Sequence, residues 1–208
     1  MFLKCNNFFD YFMPTIRDFK NEDGKWSSGY SKDGKTYHTK ASAVWHAMRQ
    51  RCGVGGSKKA NAAYADCVMS ENFLKFQFFA EWCQTQIGYG LPNYQIDKDI
   101  LLEGNRVYSE VNCVFVPQEL NSFFCSRSGP VSDLPKGVTR CKNSYSARFA
   151  PASVSGYLGM FKTVEEASQS YQDARNKGLA RWLRHFQNDE FVIDQRVTNA
   201  LAERISQC

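Results

Sequence analysis

The sequence predicts an α+β fold, in which helices and short strands occupy separate stretches of the chain instead of alternating regularly. Apolar residues recur at three- and four-residue intervals from Ala41 to Cys52 and from Phe73 to Cys83, which is the spacing of amphipathic helices. Short apolar runs such as Cys113 to Val116 have the length of strands. With 43% hydrophobic residues, a chain of 208 residues can bury one large core or two small ones.

Residues 1–40 are predicted to form an N-terminal extension that contains a β-hairpin. Turn residues cluster at Asn21 to Gly24 and at Lys32 to Gly34, and Tyr30 and Tyr37 flank the second cluster. Because short turns of this composition join antiparallel strands, we expect a small hairpin here.

The central region predicts two helices and then a strand-loop-strand-helix unit. The first helix runs from Ala41 to Gly53, and the second lies between Ser70 and Gln86. Strands are expected within Tyr94 to Leu102 and at Cys113 to Val116, and a short helix is expected to start at Pro117.

The C-terminal region predicts a small sheet followed by a helix, after a linker over residues 126–135. The capping-box pattern of Thr163 and Glu166 predicts that the helix begins there, and Gly178 is expected to interrupt it. A final short helix is expected within residues 188–208. The predicted strands are Gly137 to Arg140, Ser144 to Ala150 and Ser155 to Met160.

Positive charge is concentrated in one part of the chain. From Arg127 to Arg184 there are ten Lys and Arg residues against four Asp and Glu residues, whereas the whole chain carries a net charge of +5. This segment therefore holds a surplus of six, and the remainder is close to neutral. Such a segment favours a polyanionic partner.

Cysteine usage and hydropathy favour the cytoplasm. Eight cysteines are too sparse in 208 residues for a disulfide scaffold, and without a C-x-x-C pair no zinc site is expected. No apolar run is long enough for a membrane span, so we expect no membrane partner. The cysteines are Cys5, Cys52, Cys67, Cys83, Cys113, Cys125, Cys141 and Cys208.

The segment Ile96-Asp97-Lys98-Asp99-Ile100 resembles the core of HNH endonucleases, as found in a phage subgroup of that family. With the helical stretch before it, the resemblance covers about residues 41–125 and implies an HNH-like domain at 41–126 with a ββα core. The other residues that carry the resemblance are Gly104-Asn105, Tyr108-Ser109, Asn112-Cys113 and Asn121.

This resemblance implies a catalytic set of Asp97, Lys98, Asn112 and Asn121. Carboxylate and amide oxygens suit hard divalent cations, so Asp97 and Asn112 are the implied ligands of Mg²⁺ or another divalent cation. Lys98 stands where the family has its general-base His, and no His lies between His46 and His185. A lysine ammonium is protonated at neutral pH and cannot accept the proton of the attacking water, so its expected role is a phosphate contact.

Residues 135–177 resemble the APETALA2-type DNA-binding domain, a three-stranded sheet that lies in the major groove and is backed by one helix. The resemblance rests on Lys136-Gly137-Val138, Tyr145-Ser146-Ala147-Arg148, Tyr157 to Phe161 and Thr163 to Ala167. It implies a DNA-binding domain over 135–187. Strand alternation is expected to turn Arg140, Lys142 and Arg148 to one face, with Tyr145 and Lys162 behind them. The expected core residues are Tyr157, Phe161, Ala167 and Tyr171.

The two resemblances predict a protein that binds double-stranded DNA in the host cytoplasm. One hypothesis is a phage HNH endonuclease that nicks or cleaves DNA with a divalent metal. The alternatives are a catalytically inactive DNA-binding or regulatory protein, and a counter-defence factor that contacts a host protein. The sequence does not distinguish oligomeric states.

Overall fold

The computed structural model describes residues 15–56, 64–124, 133–149 and 156–206. The chain forms two compact units, residues 1–116 and 117–208. The elements of the first unit are β1 (Thr15–Ile16), β2 (Gly29–Lys32), β3 (Lys35–Thr39), α1 (Lys40–Cys52), β4 (Val68–Met69), α2 (Phe76–Gln84), β5 (Tyr94–Asp97), β6 (Val107–Tyr108) and β7 (Val114–Pro117), whose last residue lies past the boundary. Those of the second are α3 (Gln118–Phe124), β8 (Val138–Cys141), β9 (Ser144–Arg148), β10 (Tyr157–Phe161), α4 (Val164–Gln187) and α5 (Gln195–Ser206).

The predicted hairpin at the start of the first unit is confirmed. Strands β2 and β3 pair antiparallel around Asp33 and Gly34, whose φ angles of 52° and 71° are left-handed, as the tight turn requires. Strand β1 adds to β3 in parallel, which gives the order β1-β3-β2.

Helix α1 has the predicted ends. The Thr39 side chain accepts a hydrogen bond from the backbone N–H of Ser42, and Gly53 closes the last turn in the left-handed conformation. Asp18 accepts a further hydrogen bond from the backbone N–H of Ala41 at 2.9 Å. Both ends are fixed by residues whose local chemistry is visible in the sequence.

Helix α2 is shorter than the predicted interval, because residues 71–75 form turns ahead of it. The Ser70 hydroxyl accepts a hydrogen bond from the backbone N–H of Phe73 at 3.3 Å, which closes a turn instead of capping a helix. Phe73 and Phe79 are fully buried and pack edge to face at 5.0 Å between ring centroids. Most aromatic residues of this segment therefore form core, while Phe78 is exposed.

The remaining strands of the first unit form two small pairs. Strand β5 pairs with β7, and β4 pairs with β6 in parallel. Helix α3 follows β7 directly in the chain and belongs to the second unit. The mixed α+β class is confirmed, and the HNH-like character of this segment stays a prediction.

The second unit contains the predicted three-stranded sheet, in the order β10-β9-β8. Helix α4 packs on one face around Val138, Ala147 and Ala167, and its start is the predicted capping box of Thr163 and Glu166. The interruption expected at Gly178 is wrong, since α4 continues to Gln187.

The tolerance of Gly178 has a steric reason. A Cβ at this position would lie 2.5 Å from Cε2 of Phe123, so a glycine here leaves room for the phenyl ring to pack against the helix. Helix α5, the predicted C-terminal helix, packs on α4 and buries Val197 and Leu201. Within the described ranges, no helix combines the length and apolar character needed to cross a bilayer.

Candidate functional site

Asp97 ends β5 and lies almost fully inside the first unit, with 8% of its surface exposed. Its Oδ1 accepts hydrogen bonds from the backbone N–H groups of Asp99 at 2.9 Å and Ile100 at 2.6 Å. Burial, together with the nearby negative charge of Asp99, raises the pKa of Asp97 to about 6. The carboxylate therefore shapes the turn after β5 and sits in an environment that disfavours its charge.

Lys98 points into the protein, although lysine is rarely buried. Its Nζ donates to Oδ2 of Asp99 and to the backbone carbonyl of Asn105, both at 3.0 Å, and only 6% of its side chain is exposed. The ammonium also lies 5.8 Å from the centroid of the Tyr108 ring. This placement does not match the phosphate contact expected for Lys98, because the charge is directed to protein oxygens.

Asn105 connects the loop after β5 to β6. Its Nδ2 donates to the carbonyls of Lys98 at 2.6 Å and Val107 at 2.8 Å, and its Oδ1 accepts from the backbone N–H of Val107 at 3.1 Å. Asn112 lies behind it and donates to the Asn105 side chain at 3.5 Å. Asn105 thus holds the loop directly, whereas the side chain of Asn112, the implied metal ligand, reaches only the Asn105 side chain among the side chains that the structure describes.

The predicted catalytic residues therefore divide between the two units. One loop region of the first unit contains Asp97, Lys98 and Asn112. The Asn105 side chain is hydrogen-bonded to both Lys98 and Asn112. Asn121 is half-buried on α3 in the second unit. Sequence reasoning missed Asn105 as a site residue, because its side-chain contacts depend on the position of β6 beside the loop.

The donor set of this loop does not fit Mg²⁺. Mg²⁺ requires near-octahedral oxygen ligands and usually one or two carboxylates. Here Oδ1 of Asp97 already accepts two N–H groups, and Oδ2 of Asp99 binds the Lys98 ammonium, whose positive charge repels a second cation. Among the described residues, no three His, Cys, Asp or Glu side chains are grouped as ligands.

The basic residues of the second unit do not share one sheet face, which corrects the prediction for Arg140 and Arg148. Strands β8 and β9 pair Val138 with Ala147 and Arg140 with Tyr145. Directly paired residues point to the same side of a sheet, so Arg140 lies on the face that packs on α4. Its Nη1 donates to the Tyr145 hydroxyl at 3.0 Å, and Arg148 lies on the opposite face.

The face opposite α4, called the open face below, combines charge, hydroxyl groups and one exposed aromatic ring. Arg148 is exposed there next to its cross-strand partner Tyr157, which is itself 53% exposed. The Arg148 guanidinium makes no ion pair or side-chain hydrogen bond within the part of the chain that the structure describes. The open face consists of Thr139, Cys141, Ser144, Ser146, Arg148, Tyr157 and Met160.

The expectation that Tyr157 is a core residue is wrong, and a β-bulge is the reason. Along β10, Tyr157 pairs with Arg148 and Gly159 pairs with Ala147, so Leu158 is an extra residue. The extra residue reverses the alternation, which turns Tyr157 outward while Phe161 stays on the α4 side. Phe161, Ala167 and Tyr171 lie on or near that core, as predicted.

The remaining predicted DNA contacts lie at one end of the sheet. Lys142 is exposed in the β8–β9 turn with a φ of 47°, and Lys162 is exposed directly after β10. Lys142 directly follows Cys141, which pairs with Ser144, and Lys162 directly follows Phe161, which pairs with Tyr145, so both lysines lie at the same end of the sheet. Positive charge is thus present at this end and, through Arg148, on the open face.

Comparison with known proteins adds no relative to this description. No family model, curated protein or solved structure matches the chain. The functional interpretation therefore depends on the chemistry and geometry of the two regions described above.

Proposed function

We propose that the protein binds double-stranded DNA through the open face of the second unit and is built on an HNH-like scaffold that does not cleave by the metal-assisted route. The observation that carries the proposal is Arg148, exposed and unpaired within the described residues, beside the exposed Tyr157 on a face that α4 leaves uncovered.

The chemistry of the open face suits a duplex. Arg presents a planar fork of donors that matches guanine edges and phosphates, and Ser and Thr hydroxyls bind phosphates. Thr139 and Ser146 supply such hydroxyl groups on the same face as Arg148. Small sheets and two-stranded ribbons fit the major groove, whose width is about 12 Å.

The charges around the sheet supply the non-specific part of the binding. Lys142 and Lys162 are exposed and form no ion pair within the described ranges, and the segment from Arg127 to Arg184 has a surplus of six positive charges. Phosphate contacts of this kind release counterions, so the affinity is expected to fall steeply with salt.

The side-chain contacts of Lys98 in the first unit support the proposed lack of cleavage. The Lys98 ammonium is already bonded to Asp99 and to the Asn105 carbonyl, and it cannot act as a general base while protonated. No metal-dependent step is therefore assigned to this loop.

The test is duplex binding measured by fluorescence anisotropy at several salt concentrations. Arg148→Ala is expected to weaken binding roughly 5- to 100-fold, as loss of a base or phosphate contact does. Arg17→Ala removes the same charge from an exposed position of the first unit, outside the basic segment, and is expected to bind duplex as the unchanged protein does. Absence of duplex binding at low salt, or equal effects of the two substitutions, would overturn the DNA assignment.

A separate assay tests cleavage. Supercoiled plasmid incubated with the protein and Mg²⁺ or Mn²⁺ is expected to stay intact. Nicking that Asp97→Ala abolishes would show that the loop is a nuclease site and would contradict the non-cleaving assignment.

A further inference from the structure

The β2–β3 hairpin of the first unit presents two aromatic rings and two positive charges on one face. Tyr30 pairs with Tyr37 and Lys32 pairs with Lys35 across the hairpin, and residues two apart on a strand share a face. The two rings are stacked with centroids 5.2 Å apart and an interplanar angle of 16°. We call these four residues the hairpin platform.

The lysines of the platform differ from other lysines of the same unit. Lys20 is paired with Glu81 at 3.1 Å and Lys25 with Asp23 at 3.2 Å. Lys32 and Lys35 are both exposed, and neither makes an ion pair within the described residues.

Two unpaired like charges directly across a hairpin destabilise it. Their position on the same face as the exposed Tyr30 and the half-buried Tyr37 is therefore not explained by the stability of the hairpin. Tyr30 is 44% exposed, far more than an aromatic residue that serves a core. The combination suggests a ligand that carries negative charge and flat apolar surfaces together.

We propose that the hairpin platform binds single-stranded DNA. Unpaired bases stack on exposed tyrosine rings regardless of sequence, while lysine ammonium groups bind the adjoining phosphates. Duplex DNA offers its phosphates to the lysines but no free base to the tyrosine rings, since its bases are already stacked on one another. The choice of DNA over RNA rests on the proposed function, in which the same chain holds duplex DNA.

The experiment measures anisotropy of labelled (dT)12, (rU)12 and a 12-base-pair duplex with the full chain. Tyr30→Ala is expected to weaken (dT)12 binding about tenfold, which is the effect of losing one base-stacking contact. Tyr30→Phe retains the ring and is expected to bind (dT)12 nearly as well as the unchanged protein.

A second variant tests the charges without endangering the fold. Lys32→Gln with Lys35→Gln relieves the repulsion, so its melting temperature is expected to stay level or rise while (dT)12 affinity falls. For single strands the logarithmic salt slope should become shallower by about 1.4 if each lysine neutralises one phosphate. Lys20→Gln with Lys25→Gln removes the same charge from paired lysines of this unit and is the matched control.

The outcomes separate this proposal from the duplex-binding one. Unchanged (dT)12 affinity in the Lys32→Gln, Lys35→Gln variant, or an equal loss in Tyr30→Ala and Tyr30→Phe, would overturn the platform. Tighter binding of (rU)12 than of (dT)12 would overturn the choice of DNA. Arg148→Ala is expected to weaken duplex binding and leave (dT)12 binding unchanged. The two proposals are therefore tested by different variants and different ligands, and either can fail while the other holds.

Discussion

Lys98 and Asn105 hold each other through two hydrogen bonds. The Lys98 ammonium donates to the backbone carbonyl of Asn105 at 3.0 Å, and the Asn105 amide donates to the backbone carbonyl of Lys98 at 2.6 Å. The two residues close the loop between β5 and β6 from both ends. A loop closed in this way is a stabilising element of the first unit, whatever else the region does.

Replacement of Asn105 is expected to destabilise the protein more than replacement of Asn112. Asn105→Ala removes three hydrogen bonds to the backbone and leaves carbonyls of Lys98 and Val107 without their donors, a loss of about 2–3 kcal/mol. Asn112→Ala removes one long side-chain contact and is expected to lose under about 1 kcal/mol. Urea unfolding measures both, and equal losses would contradict the role given to Asn105.

Removal of the Lys98 ammonium is expected to open the loop to a cation. In Lys98→Ala the Oδ2 atom of Asp99 and the carbonyl oxygen of Asn105 lose the ammonium group that they bind, and oxygen ligands of this kind bind hard cations. Terbium, which emits when a nearby tyrosine such as Tyr108 transfers energy to it, is expected to bind this variant and not the unchanged protein.

The control for the terbium experiment is Lys98→Ala combined with Asp99→Asn, which is expected to lose the emission because a carboxylate ligand is gone. Circular dichroism verifies that both variants are folded. Equally strong emission from the unchanged protein would show that Lys98 does not exclude a metal.

Asp97→Asn is expected to stabilise the protein at neutral pH. Burial and the charge of Asp99 raise the pKa of Asp97 from 3.8 to about 6, so the folded chain binds this proton more tightly than the unfolded chain. Stability therefore falls as the pH rises from about 4 to about 6 and stays reduced above. The asparagine oxygen still accepts the two N–H groups without this penalty.

Urea unfolding across this pH range measures the effect. At about pH 7 the variant is expected to exceed the unchanged protein by on the order of 1 to 3 kcal/mol, and the difference should shrink towards about pH 4. A difference that does not vary with pH would be inconsistent with a raised pKa at Asp97.

Gly178→Ala is expected to destabilise the second unit, although alanine is the better helix former. The gain in helix propensity is up to about 1 kcal/mol, but the new Cβ would lie 2.5 Å from Phe123, and overpacking of this kind costs roughly 1–3 kcal/mol. Thermal melting of Gly178→Ala alone and with Phe123→Leu is the measurement. A stabilised single variant would show that the Phe123 ring moves aside without loss.

Features that depend on neighbouring residues in the chain could be predicted from the sequence. The capping box of Thr163 and Glu166 and the C-cap at Gly53 are local arrangements, and both were confirmed. The continuity of α4 through Gly178 could not be predicted, because it depends on the ring of Phe123 more than fifty positions earlier.

The candidate sites show the same distinction. Alternation along the chain suggested one face for Arg140 and Arg148. In the observed register Arg140 pairs with Tyr145, and Tyr145 lies three residues before Arg148 in β9, so the two arginines point to opposite faces of the sheet. The basic residues of this sheet were thus identifiable from the sequence, while their grouping required the pairing of the strands. The role of Asn105 likewise became visible only with β6 beside the loop.

The extra residue Leu158 in β10 makes the open face sensitive to the length of β9. A residue inserted between Ala147 and Arg148 would pair with Leu158 and remove the bulge, and both Arg148 and Tyr157 would then turn to the side occupied by α4, because a shift by one position exchanges the two sides of a strand. Such an insertion would therefore change the open face more abruptly than a substitution does, with little change in composition.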